Sequence, residues 1–499
     1  MPETASIERR RKPLFYTVLF GIITPFVLLI IAQGQMQFSS DEKTARMTAF
    51  FDGRSWFREE HIQKGTIFDR TGEPEQALAI SVPVGEERFE RKYPLGESFG
   101  HLIGYAHRSR GRTGFEAVFL PVLTSSGMGY PEDFRRYFSN RFLTFKPKGN
   151  DVYLTIDSRL QKVCYDVMNG RKGAVVVLDP DNGEVLALVS SPGFSPDVVR
   201  SDEQWNNLVK RRDDAPLFNR ALFGLYPPGS VMKLVIASAA LEENITPEFV
   251  SGARGFTPEF AANPIHEHEF AEYNAKGIAW TGHGRLSLSK ALLKSSNVYF
   301  SRLSLTLGSP VIVKSIEKFG FNGEIRWNTS SALLEDSFGI TPSVFPDPPE
   351  LTPEELCWSS LGQYKVLVTP VHMALLTAAI ANGGFFYRPS IELGRFPKVE
   401  ERIISSKTAK LLREMMRSVV EKGTGYRANI PDIAVAGKTG TAETGSDKPH
   451  SWFVSFAPEK NAKLVVVVII ENGGYGGIAA AEAARKIYLE ANCLGYFDR

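Results

Sequence analysis

The feature that most limits this chain lies near its start. Residues 14–32 read LFYTVLFGIITPFVLLIIA, without a single charge, directly behind Arg9, Arg10, Arg11 and Lys12. About nineteen residues at ~1.5 Å each make a helix of roughly 28 Å, which matches a hydrocarbon core of about 30 Å. A helix satisfies its own backbone groups in lipid, and Pro25 is tolerable there. The basic cluster places the N-terminus in the cytoplasm. The expectation is a cytoplasmic tail over 1–13, a transmembrane anchor over 14–33, and everything later on the extracytoplasmic side. A cleaved signal peptide is the alternative, since Ala32-Gln33-Gly34 resembles a cleavage site. The run exceeds the ~7–15-residue core of such peptides, which favours an uncleaved anchor. Leu464–Ile470 is too short for a second span and suits a buried strand.

The 499 residues as a whole are 43% hydrophobic and 23% charged, enough for two or three folded domains. A formal charge of +2 argues against a nucleic-acid binder, which would show a basic face. Three cysteines, Cys164, Cys357 and Cys493, make no disulfide framework. They are expected as buried thiols acting as small hydrophobes.

Residues 34–60 are polar and mixed, and read as a linker leaving the membrane. Short strand-like pieces broken by Gly and Pro follow, so that 34–150 reads as a small, β-rich, irregular pedestal. The character changes near Gly149. DVYLTIDSRLQKVCYDVMN reads as a strand and a helix capped by Asp157. GAVVVLDPDNGEVLALVSSP reads as a hairpin turning at 179–183. Helical patterns dominate from Ser230 to about Asn382, interrupted by the Pro-rich loop 341–353. Strands follow around Ile433–Glu443, Ser451–Ala457 and Lys463–Glu471, then an amphipathic helix over Ala479–Leu494. Strands at both ends with helices between predict an α+β domain over 151–499, one antiparallel sheet packed by helices.

The chemistry begins in GLYPPGSVMKLVIASAAL, residues 224–241. A Pro-Pro-Gly stop precedes an apolar helix, with Ser230 at its start and Lys233 on its first turn. A capping serine is ordinarily followed three residues on by Glu or Gln. A lysine there opposes the helix dipole by about 0.3–1 kcal/mol. Local rules of this kind are broken mostly at functional sites. Positions i and i+3 share a helix face, so hydroxyl and amine can touch. Serine becomes a nucleophile when a base takes its proton, and lysine serves as that base only when neutral. Burial and the positive end of a helix both push it that way. The S-x-x-K spacing alone is weak, since it recurs at Ser40/Lys43, Ser287/Lys290 and Ser315/Lys318. The rival reading of Lys233 is a lysine that snorkels to solvent.

Two further groups carry polar atoms suited to the same site. Ser295-Ser296-Asn297 offers a hydroxyl for proton relay and an amide for a substrate carbonyl; alone it reads equally well as a helix cap. Lys438-Thr439-Gly440-Thr441 offers a cation and two hydroxyls for a carboxylate. Gly440 there would let a ligand approach the strand backbone, while an edge strand with a protective lysine is the plainer reading.

S-x-x-K, S-x-N and K-T-G in this order resemble the penicillin-interacting serine transpeptidases, that is, penicillin-binding proteins and serine β-lactamases. KGTIFDRTGE, TGFEAVF, VLDPDNGEVLALVSSP, GHGRLSLSKALLKSSNVYF and HSWFVSFAP resemble the class B, monofunctional penicillin-binding proteins over nearly the whole chain. The resemblance implies a serine transpeptidase/β-lactamase-like fold. It implies Ser230 as acylated nucleophile, Lys233 as its base, Ser295 as proton relay and Asn297 as substrate-positioning group. Lys438, Thr439, Gly440 and Thr441 would bind the terminal carboxylate of a D-Ala-D-Ala stem. The backbone N–H groups of Ser230 and Thr441 would form an oxyanion hole. It further implies β-lactam inhibition, peptidoglycan stem peptides as substrates, no cofactor or metal, and a polytopic glycosyltransferase partner in the bacterial plasma membrane. One departure stands out: family members often carry G-Q-G where this chain has Gly362-Gln363-Tyr364 before Thr369-Pro370.

A class A β-lactamase uses a glutamate to activate the deacylating water, and Glu324…Asn328 matches its E-x-x-x-N spacing; the anchor and pedestal argue against it. A bifunctional enzyme needs more than residues 34–150 for a glycosyltransferase domain. A non-catalytic penicillin sensor or scaffold would not need every matched residue intact. His266-Glu267-His268-Glu269, with His283 nearby, has the composition of a metal site, but zinc requires three or four convergent ligands, and a solvated loop is expected.

Overall fold

The computed structural model of the chain describes Thr24 and residues 60–85, 88–124, 148–329, 331–346, 351–445 and 448–498. Apart from Thr24, the expected tail and anchor lie outside the described residues. Among the described residues no helix is long and apolar enough to cross a membrane.

The first described strands form a four-stranded mixed sheet of β1 (Ile67–Phe68), β2 (Ala77–Val84), β3 (Arg88–Lys92) and β4 (Val152–Tyr153), in the order β3-β2-β1-β4. β1 pairs parallel with β4, so a strand from beyond residue 150 completes this sheet. Arg91 and Glu116 form a buried ion pair at 2.6 Å, and Arg91 also donates to the Gly65 carbonyl. A buried charge is tolerated only with such partners. Asp69, fully buried, accepts from the backbone and hydroxyl of Ser158 at 3.0 and 2.7 Å. Apolar packing is continuous across the same seam: Phe115 stacks on Phe338 at 4.9 Å between ring centres.

Beyond β4 the chain runs through α1 (Ser158–Met168), β5 (Gly173–Leu178), β6 (Val185–Ser191), α2 (Lys233–Glu242), β7 (Phe249–Ser251), β8 (Gly284–Leu286), α3 (Leu288–Lys294), α4 (Asn297–Lys318), α5 (Pro370–Ala381), α6 (Ser406–Lys422), β9 (Ala436–Ala442), β10 (His450–Ala457), β11 (Leu464–Ile470) and α7 (Ala479–Cys493). The main sheet is five-stranded and antiparallel, in the order β9-β10-β11-β5-β6. Asp157 caps α1 as expected, accepting from the Arg159 N–H at 3.0 Å. β11, LVVVVII, is buried at every position because both faces of the sheet are covered. Helix α5 lies on one face, α1 and α7 on the other. α5 is buried at every residue, which is why its sequence shows no polar stripe. Each fully buried Val or Ile contributes about 1.5–3 kcal/mol. β9 lies at the sheet's edge, beside the turn that leads into α2.

Two cysteines are buried as expected, Cys164 and Cys357; Cys493 is exposed. It ends α7, whose inward face is already filled by Ala480, Ala484, Ile487 and Ala491.

Candidate active site

Ser230 does not begin an α-helix. It lies on a 3-10 turn, Gly229–Met232, that feeds α2. The turn is held by backbone. Gly229, at φ 55, donates to the Gly362 carbonyl at 2.9 Å, and a Cβ on Gly362 would fall 2.1 Å from the Gly229 carbonyl. Tyr226 exchanges two backbone hydrogen bonds with Val368, and the Trp452 indole donates to the Pro227 carbonyl at 3.0 Å. Val231, Met232 and Lys233 are buried while Ser230 stays partly open to solvent.

Lys233 does not snorkel; its side chain is fully buried. Its Nζ lies 3.0 Å from Ser230 Oγ, 2.6 Å from the Ser295 carbonyl and 2.8 Å from Asn297 Oδ1. The Asn297 amide is oriented by its Nδ2, which donates to the His266 carbonyl at 3.0 Å. Burial pushes Lys233 down to about 7, against the opposing pull of Glu267 and Glu269. A neutral amine has two N–H groups and one lone pair. The Ser295 carbonyl and Asn297 Oδ1 can only accept, so they use both N–H groups. The lone pair is left for the Ser230 hydroxyl.

Ser295 closes α3 in the left-handed region at φ 57, an unusual place for a residue with a Cβ. That backbone aims its Oγ between two lysines, 2.9 Å from Lys438 Nζ and 3.4 Å from Lys233 Nζ. Ser296 takes the capping role, accepting from the Tyr299 N–H at the start of α4. Lys438 is as buried as Lys233, so on this edge strand it points inward and is no protective edge lysine. Burial and the neighbouring Lys233 hold it well below the ordinary lysine range.

Thr439 Oγ1 lies 2.7 Å from Thr424 Oγ1, and Thr441 Oγ1 accepts from the Gly476 N–H at 3.2 Å. The Thr441 hydroxyl proton is then available to a ligand. Gly440 has a different reason from the one expected. A Cβ there would meet the Pro228 carbonyl at 2.7 Å and Val231 Cγ2 at 2.7 Å. The turn carrying Ser230 is pressed against this glycine.

The polar cluster at 266–269 is not simply a solvated loop. Glu267 is buried and hydrogen-bonded to Ser251, Ser296 and Asn297. Only His268 of the four is exposed, paired with Glu269 at 3.0 Å. Among the described residues no group of three or more His, Cys, Asp or Glu is placed to hold a metal ion. Glu324 is exposed and pairs with Arg326, while Asn328 donates to the Phe396 carbonyl, so neither joins the cluster around Ser230. Of the other S-x-x-K pairs, Lys290 is exposed and Lys318 closes α4; Ser40/Lys43 lies outside the described residues. Tyr364 sits at φ 61, where glycine is at ease and another residue gives up about 1–2 kcal/mol. Its hydroxyl donates to Glu355 and the Lys365 ammonium lies over its ring.

Residues 173–489 match the penicillin binding protein transpeptidase domain. Over 456 residues the chain is 31% identical to the peptidoglycan D,D-transpeptidase PbpA of Mycobacterium tuberculosis, covering 84% of this chain and 88% of that protein. The chain belongs to the class B penicillin-binding proteins. This penicillin-binding protein is also 30% identical over 462 residues to the peptidoglycan D,D-transpeptidase MrdA of Acinetobacter baumannii, with 81% of this chain and 66% of the relative covered. Its fold superposes on penicillin-binding protein A from M. tuberculosis, solved as a ceftriaxone acyl-enzyme complex, with a TM-score of 0.76 at 29% identity. That match covers 87% of this chain and 99% of the other. The antiparallel sheet packed by helices is thus the penicillin-binding transpeptidase fold.

The sequence places Glu267 only in a solvated loop and gives no sign of Thr424. Neither is flagged by a spacing rule: their partners Ser296 and Thr439 come from other elements.

Proposed function

We propose that this chain is a peptidoglycan D,D-transpeptidase that cross-links stem peptides through an ester on Ser230 and is inhibited by β-lactams. One observation carries the assignment of roles. Lys233 Nζ lies 3.0 Å from Ser230 Oγ while two fixed acceptors occupy its N–H groups. The Ser230 hydroxyl donates to the amine lone pair and attacks the carbonyl of the penultimate D-Ala. The N–H groups of Ser230 and Thr441 would stabilise the tetrahedral oxyanion. Collapse breaks the peptide bond; the departing D-Ala nitrogen takes the proton back through Lys233 and Ser295. An amine of a neighbouring stem then attacks the ester, releasing Ser230 and forming the cross-link. Thr439 and Thr441, beside the Lys438 amine, would hold the terminal carboxylate, and Asn297 the stem's backbone carbonyl.

The same reading places an anchor over 14–33 in the bacterial plasma membrane. It sets a pedestal over 34–150 and a catalytic domain over 151–499 outside the cytoplasm, beside a polytopic glycosyltransferase. The family and the uncharged run behind four basic residues support that topology. The test uses fluorescent penicillin on the full chain, peptide mapping of the adduct, and release of D-Ala from a pentapeptide stem. A stable adduct on Ser230 with D-Ala release is expected, and Ser230→Ala should abolish both. Labelling retained in Ser230→Ala refutes the nucleophile. Labelling without D-Ala release points to a sensor.

A further inference from the structure

Residues 252–283, between β7 and β8, are mostly exposed. Within that stretch Glu267 is an exception, only 3% exposed. One carboxylate oxygen accepts from Ser251 Oγ at 2.7 Å and from Ser296 Oγ; the other accepts from the Asn297 N–H at 2.6 Å. The adjacent His266 carbonyl fixes the Asn297 side chain. Both ends of Asn297 are therefore set by residues 266–267, and Asn297 Oδ1 is one of the two acceptors that occupy Lys233. Capping of α4 does not require this charge, because Ser296 already serves the Tyr299 N–H. A buried carboxylate is costly unless it is hydrogen-bonded and paired with a nearby opposite charge.

We propose that Glu267 is a positioning residue for acylation: it holds Asn297 against Lys233 and supplies the negative charge that keeps the Lys233 amine basic enough to take the serine proton. This rests on the reading of Lys233 as the base. The charged groups around that amine come from two elements, and an aromatic ring from a third. Lys438 of β9 lies across Ser295; Glu267 and Glu269 come from the 252–283 stretch; the Phe300 ring of α4 lies 5.8 Å from Nζ. Glu269 is itself engaged by His268 and His283, whereas Glu267 is held by two serine hydroxyls and one backbone N–H. Burial drives the proton off Lys233, and a base driven too far loses its hold on the proton it must accept. Glu267 pulls the other way.

The experiment measures acylation of the full chain by fluorescent penicillin from about pH 5 to about pH 10, for the parent, Glu267→Gln and Glu267→Asp. In the parent the rate should rise with pH along a limb near 7. Loss of the charge in Glu267→Gln lowers the affinity of Lys233 for its proton. Its limb should therefore move to lower pH by about one unit or more, the scale of a nearby opposite charge, and its plateau rate should fall by about tenfold or more. Glu267→Asp keeps the charge, so its limb should stay at the parent position while its rate falls. A uniform loss in Glu267→Gln with an unmoved limb overturns the inference, since it marks a purely structural role. If thermal melting shows that Glu267→Gln does not fold, Glu267→Asp decides: a displaced limb overturns the inference. A parent with no limb near 7 refutes Lys233 as the base, and this inference with it.

Discussion

Replacing Lys233 by methionine should change how stability depends on pH more than how large it is. The lysine is fully buried and shifted from the ordinary 10.5 to about 7. Each unit is worth about 1.4 kcal/mol, so holding the ammonium form costs the fold at most about 5 kcal/mol. The sign follows from proton counting. Below about 7 both folded and unfolded chains hold the proton, and the folded state bears the whole cost. Between about 7 and 10.5 the unfolded chain binds more protons, so stability rises with pH. Lys233→Met fills a similar volume and removes this rise. It also strips the Ser295 carbonyl and Asn297 Oδ1 of their donor, at about 1–3 kcal/mol each. The two effects nearly offset at neutral pH, which leaves the slope as the signature. Denaturant unfolding from about pH 6 to about pH 10 should show a parent that gains stability relative to Lys233→Met by a few kcal/mol. Penicillin acylation of the variant should fall by a factor of about 10² to 10⁴. Parallel stability curves for the two proteins would refute the account of a lysine kept neutral by burial, whatever happens to activity.

Gly440→Ala should destabilise the fold by about 1–3 kcal/mol, because its Cβ would press on the Pro228 carbonyl, Val231 and Trp452. Thermal melting together with acylation rate checks this; a variant with parental stability and slow acylation would restore the ligand-approach explanation. Thr424→Val removes the hydroxyl bonded to Thr439. It should weaken non-covalent binding of a carboxylate-bearing β-lactam by about five- to tenfold, one hydrogen bond's worth, and leave the acylation step from the bound complex nearly unchanged. Saturation kinetics separate the two constants, and an effect confined to the acylation step would count against the carboxylate role.

Much of the fold was legible because its strands and helices obey local rules. The β5–β6 hairpin announces itself by two apolar runs around a Gly-bearing turn, and α1 by Asp157. α2 and α5 carry little periodicity because they are buried all round, yet their apolar length suffices. Ser230, Lys233, Ser295, Asn297 and Lys438 converge as the motif order implied. What the sequence hid is set by contacts between distant segments. Ser230 rides a 3-10 turn because Gly229 interlocks with Gly362. Glu267 stands among polar neighbours and reads as solvated, but its partners Ser251 and Ser296 belong to β7 and the α3–α4 junction. Gly440 looks like a ligand channel until the turn packed against it is known. The pedestal sheet takes its last strand, Val152–Tyr153, from beyond the expected boundary for a similar reason: β1 supplies the pairing, and local composition does not show it.

The interlocked glycines leave this protein few ways to vary around its reactive serine. Gly229 and Gly362 meet backbone to backbone, and a Cβ on Gly362 has no space. A chain under pressure from a covalent inhibitor therefore cannot easily reshape the turn itself, since most side chains there would dismantle the support of Ser230. Tolerated change belongs on surfaces where side chains meet solvent, such as the exposed positions of 252–283 away from Glu267. Drift in inhibitor susceptibility should then accumulate along that stretch, at a distance from the bond being made, while the turn stays invariant.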